Sequence, residues 1–82
     1  MQSTIQIKLI QIFQKIFLEL SACDENQIRS AERESLLSWD SINHLLLVTE
    51  LEEGFSIQLP DGAAAEVNSF EDASKLIHSL KN

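Results

Sequence analysis

Cysteine is almost absent from this 82-residue chain, and so are glycine and proline, with one, two and one copies respectively. A lone Cys23 cannot close an internal disulfide, so a reducing cytoplasm is the expected compartment. Two histidines and that one thiol match no familiar zinc-ligand spacing, and no metal site is expected. Basic residues are scarce: six Lys and Arg stand against thirteen Asp and Glu, for a net charge of -7. A chain of that sign repels phosphate backbones and anionic membrane surfaces, which argues against nucleic acid and membrane as partners. The length leaves room for one domain over residues 1–82, expected to be monomeric. A domain of this size buries only about 60–65% of the surface its unfolded chain exposes, too little for a core and a deep catalytic cleft together. No catalytic residues are expected.

Long hydrophobic runs are also missing. The first twenty residues are rich in Ile, Leu and Phe, but Gln6, Lys8, Gln11, Gln14, Lys15 and Glu19 interrupt them regularly. At about 100° per residue, Ile5, Leu9, Ile10, Ile12, Phe13, Ile16, Phe17 and Leu20 form one stripe. The spacing predicts an amphipathic, core-facing first helix. From Cys23 to Asp40 the pattern loosens into a polar stretch, predicted to be a long ordered loop pinned by Ile28 and Leu36-Leu37. Asp40-Ser41 offers N-cap chemistry for a second helix, whose core strip is Leu47, Val48, Leu51 and Phe55, with Gly54 as its stop. Leu59-Pro60-Asp61-Gly62 reads as a loop, and residues 63–66 as a short third helix with Asp61 as its cap. Ser69 and Asp72 have capping-box spacing ahead of Phe70, Ala73, Leu76, Ile77 and Leu80, which predicts a last helix. The fold expected is all-α: a four-helix bundle of three main helices and a short one.

Charge is unevenly distributed. Residues 34–74 hold nine acids and no Lys or Arg, a net -9, while the remainder has four acids and six bases, a net +2. A one-signed region of this kind steers partners of opposite charge. The second helix also carries a second apolar strip. Ile42 and Leu46 lie off the core side, with Thr49 and Glu53 continuing their face, Glu50 beside it and Leu45 at the border of the core strip. Apolar residues ringed by acids suit a docking surface, so Ile42, Leu46, Glu50 and Glu53 are candidate partner-binding residues.

The run Trp39-Asp40-Ser41-Ile42, followed by Leu45, Leu47-Val48, Leu51-Glu52-Glu53, Phe55 and Leu59-Pro60-Asp61, resembles the acyl carrier protein family. The hallmark of that family is Asp-Ser-Leu at the start of an acidic second helix. The likeness runs from about Leu37 to Ile77, and the amphipathic first helix fits the same four-helix pattern. It implies that Ser41, preceded by Asp40, is where a phosphopantetheinyl transferase attaches 4'-phosphopantetheine from coenzyme A. The partners implied are that transferase and enzymes that load or transfer an acyl or aminoacyl group, which the arm's thiol holds as a thioester.

Several positions depart from the family's usual pattern. Ser38 stands where Gly is common, Ile42 where Leu is usual, and Asn43 and Leu46 where the helix often carries acids. Trp39 and His44 resemble discrete carriers of specialised pathways. His44 is expected to be half-buried with a satisfied hydrogen bond, Cys23 to pack as a small hydrophobe, and His78 to be solvated. The alternative to a carrier is a small helical adaptor that uses its acidic face without modification.

Overall fold

The computed structural model describes residues 4–81, and among them the protein is all-α. Five α-helices follow one another: α1 (Thr4–Ile16), α2 (Glu25–Arg29), α3 (Ser41–Phe55), α4 (Asp61–Ala65) and α5 (Phe70–Lys81). The helices expected from the sequence correspond to α1, α3, α4 and α5. The additional α2 lies in the segment expected to be a loop. No helix among the described residues is long and apolar enough to cross a membrane.

α1 packs on α3 and α5 and touches α2. Its buried line is Leu9, Ile12 and Phe13. The helix ends at Ile16, one turn before the periodicity does, because Phe17 turns extended (φ -101°, ψ 109°) and a 3-10 turn follows over Leu18–Leu20. That break lets both Phe17 and Leu20 face inward. Phe13 is the centre of an aromatic cluster, with ring centroids 5.4 Å from Phe17, 5.7 Å from Trp39 and 5.0 Å from Phe70. Offset and edge-on contacts at these separations contribute about 0.5–1.5 kcal/mol each beyond area burial. Residues from both ends of the chain and from the central loop thereby share one core.

The segment between α1 and α3 is more ordered than its composition suggests. Asp24 Oδ1 accepts from the Gln27 amide at 2.8 Å and Gln27 Oε1 accepts from the Asp24 amide at 3.0 Å, a reciprocal cap that starts α2. Ile28 is buried as expected, but Leu37 is 98% exposed and pins nothing. The segment is instead tied by backbone bonds, Arg33 N–H to Asn68 C=O at 2.8 Å and Phe70 N–H to Ala31 C=O at 3.0 Å.

Three boundaries differ from expectation. Gly54 does not end α3; it lies inside the helix, where an added Cβ would stand 3.3 Å from Ile12 Cδ1. Its smallness serves the close approach of α1. The left-handed stop is Ser56 (φ 55°), whose amide donates to Glu52 C=O. At α4, Pro60 holds the N-cap position and Asp61 is the first helical residue. At α5, Ser69 Oγ accepts from the Asp72 amide at 3.0 Å, while the Asp72 carboxylate reaches one residue further back, to the Asn68 amide at 3.1 Å.

Candidate functional site

Asp40, rather than Ser41, caps α3. Its Oδ1 accepts from the Asn43 amide at 2.8 Å, and its carbonyl accepts from the His44 amide at 2.8 Å. Ser41 is therefore the first residue of the helix itself, exposed, with no hydrogen-bond partner for its hydroxyl among the described residues. A capping role would have tied that oxygen to the backbone; here it makes no such contact.

The loop that presents Ser41 is fixed by side chains on both sides. The Glu19 carboxylate accepts from the Ser38 amide at 3.1 Å and also from the Ser38 hydroxyl. The Asn43 side chain donates back to Ser38 C=O at 2.6 Å. Ser38 thus contributes a hydroxyl and Asn43 a side-chain amide to the fixing of this loop. Hydrogen bonds from Ser38 hold the Glu19 carboxyl below its ordinary range. Trp39 is the apolar peg of the same loop, 4% exposed and stacked on Phe17 with centroids 4.7 Å apart.

His44 is half-buried, and both ring nitrogens are engaged. Nδ1 accepts from Trp39 Nε1–H at 3.0 Å, which leaves the proton of the neutral ring on Nε2, 2.9 Å from Ala64 C=O. With both nitrogens occupied, His44 is not arranged as a base for Ser41, and Asp40 is engaged as a cap. Ser41 is an exposed hydroxyl without an activating partner.

Large apolar side chains are exposed on the first turns of α3 and on the loop before it. Ile42 is 72% exposed, Leu45 68% and Leu46 49%, and Leu37 stands fully out on the preceding loop. The segment between α1 and α3 leaves Ile42 and Leu46 uncovered. The candidate acids divide into two groups. Glu53 is exposed, whereas Glu50 is half-buried and receives Lys15 Nζ from α1 at 3.1 Å on both carboxylate oxygens. Glu52 turns away from that face and accepts from the Leu59 amide at 2.9 Å. Only Glu53 of this trio is thus presented to solvent without such a contact.

Between α3 and α4 lies an open cleft of about 320 Å3 lined by the apolar Leu45, Val48, Leu59, Ala64 and Ala65 together with His44, Glu52 and Asp61. The sequence pattern missed it because its walls come from two helices and a loop. Cys23 is half-buried, its thiol against Glu19 C=O at 3.1 Å, and behaves as a packing residue. His78 is half-buried beside Gln6, 3.4 Å from its side-chain nitrogen, and not fully solvated as expected. No group of three or more His, Cys, Asp or Glu among the described residues is arranged to hold a metal. No family model matches the sequence, and no solved structure matches the chain.

Proposed function

We propose that this protein is an acyl or aminoacyl carrier, modified on Ser41 by 4'-phosphopantetheine and presenting its cargo to the enzymes of a biosynthetic pathway. The observation that carries the reading is Ser41 itself: an unpaired, exposed hydroxyl on the first residue of a 15-residue helix, ringed by uncovered Ile42, Leu45 and Leu46. The start of α3 suits a phosphodiester. Amide hydrogens and the positive end of the helix dipole favour an anion there. The role of Asp40 is to hold the turn that projects Ser41, and Trp39, Ser38 and Asn43 keep that turn in one geometry.

The prosthetic arm supplies a thiol that carries the acyl group as a thioester. The protein's residues supply the rest. Ser41 Oγ is the acceptor in a transfer that breaks the pyrophosphate of coenzyme A and releases adenosine 3',5'-bisphosphate, its proton passing to a base on the transferase. Ile42 and Leu46 provide apolar contact for partner enzymes. Glu53 and the lysine-free, arginine-free segment around it favour partners with basic faces.

Intact mass measured after incubation with coenzyme A, magnesium and a broad-specificity transferase tests the reading. The wild type should gain one phosphopantetheine, and Ser41→Ala should gain none. Because Asp40 holds the cap, Ser41→Ala should leave stability within about 0.5 kcal/mol of wild type. An unmodified wild type would favour the adaptor reading, in which the same apolar and acidic face binds a partner directly.

A further inference from the structure

His44, on the wall of the α3–α4 cleft, is fastened through both ring nitrogens. His44 joins three elements: it takes the indole hydrogen of Trp39 from the loop, sits on α3, and donates to Ala64 C=O on α4. Behind it the space is filled by rings. Trp39 stacks on Phe17 at 4.7 Å and meets Phe13 edge-on at 5.7 Å. An extended apolar chain entering the interior here would have to separate α4 from His44, orphan the buried indole N–H and part a stacked aromatic pair, each of which is unfavourable.

The path along the surface is open. Ser41, Leu45, Val48 and Glu52 stand at i, i+4, i+7 and i+11, so they follow one face of α3 from the modified end toward the cleft. At 1.5 Å per residue, Leu45 to Glu52 is a track of roughly 10 Å. It ends at Glu52, whose carboxylate accepts from the Leu59 amide and which lines the cleft together with Asp61. Charged groups at that end disfavour a longer apolar chain.

We propose that His44 is a specificity-determining residue: its two hydrogen bonds lock one wall of the α3–α4 cleft, so that a carried group lies along Leu45 and Val48 and a long acyl chain is denied the interior. The inference rests on the carrier reading and names the substrate class within it as short groups held at the surface.

The test uses full-length protein charged by a transferase from acetyl-, hexanoyl- and dodecanoyl-coenzyme A, with mass confirming one acyl-pantetheine on Ser41. Thioester cleavage by hydroxylamine, normalised to the free acyl-pantetheines, should vary by no more than about twofold with chain length in wild type, since no chain is withdrawn from water. Emission of the single Trp39 should be equally indifferent. In His44→Ala the dodecanoyl thioester should become at least about fivefold slower to cleave than the acetyl one, with a shift in Trp39 emission. His44→Gln, whose amide offers one acceptor and one donor, should restore the wild-type pattern. If His44→Ala fails to fold, the wild type still decides: clear protection of its dodecanoyl thioester overturns the inference while the carrier reading stands. Failure to charge Ser41 overturns both.

Discussion

The first and last turns of α3 belong to one helix yet are held by different chemistry. At the start, polar side chains reach the backbone: Asp40 to Asn43, Asn43 to Ser38, and Glu19 to Ser38. Apolar side chains there are left over, with Ile42, Leu45 and Leu46 uncovered. At the end, Leu51 and Phe55 are buried, Gly54 lets Ile12 approach, and Lys81 Nζ donates to Phe55 C=O at 3.1 Å. Packing fixes the far half of the helix, which frees the near half to expose hydrophobes without cost to the core. A helix fixed by packing along its whole length would have no apolar face to offer a partner.

The contrast is sharpest in truncation. Leu51→Ala removes a fully buried side chain and should destabilise by about 2–5 kcal/mol, and Leu47→Ala similarly. Leu46→Ala, only one residue from Leu47, should change stability by about 0.5 kcal/mol or less. Denaturant midpoints for the three variants check this. In a transferase-binding assay the order should reverse, Leu46→Ala weakening association by about 1 kcal/mol or more. A large stability loss at Leu46 would erase the distinction between the two halves.

The helix ends themselves offer a smaller and opposite pair of effects. Asp40→Ala removes the only side-chain cap of α3 and should cost about 0.5–2 kcal/mol. Ser56→Gly relieves a left-handed residue (φ 55°) and should stabilise by roughly 0.5–1 kcal/mol. Thermal midpoints moving in opposite directions would show that the start depends on a side chain while the stop tolerates strain because packing holds it.

Sequence periodicity reached those parts of this arrangement that local chemistry determines. Asp40-Ser41 stands out because short polar side chains cap helices, and the two faces of α3 follow from a 3.6-residue repeat. Asp24 and Gln27 carried the capping-box spacing that announces α2, but a single buried residue, Ile28, gave it no visible apolar stripe. Leu37 reads as a pin by composition and stands in solvent, since neighbouring Leu36 and Trp39 already fill the inward positions. The pairing of Glu50 with Lys15, 35 residues away, and the triangle of Trp39, His44 and Ala64 are tertiary facts that no local pattern contains. The candidate serine was therefore legible, whereas the groups that decide which acids and which cavity it can use were not.

The smallest expected effect concerns the exposed tether at the start of α3. Hydrogen bonds from Ser38 depress the Glu19 carboxyl in the folded protein below its ordinary value of 4.5. A carboxylate with a lowered folded-state pKa adds stability that is fully present above the unfolded value and is lost as pH falls through the folded one. Glu19→Gln should therefore melt slightly below wild type at neutral pH, and the two should converge in acid, below about pH 4. Other carboxylates titrate in the same window, so the difference between the two melting curves, and not either curve alone, carries the information. Ser38→Ala keeps the amide bond to Glu19 and should show a smaller convergence, and the double variant should be no worse than Glu19→Gln alone, because the hydroxyl bond is part of the same contact. An unchanged gap between wild type and Glu19→Gln across that range would mean that the Glu19–Ser38 contact does not hold the loop before Ser41, and the polar tethering ascribed to this end of α3 would reduce to Asp40 and Asn43.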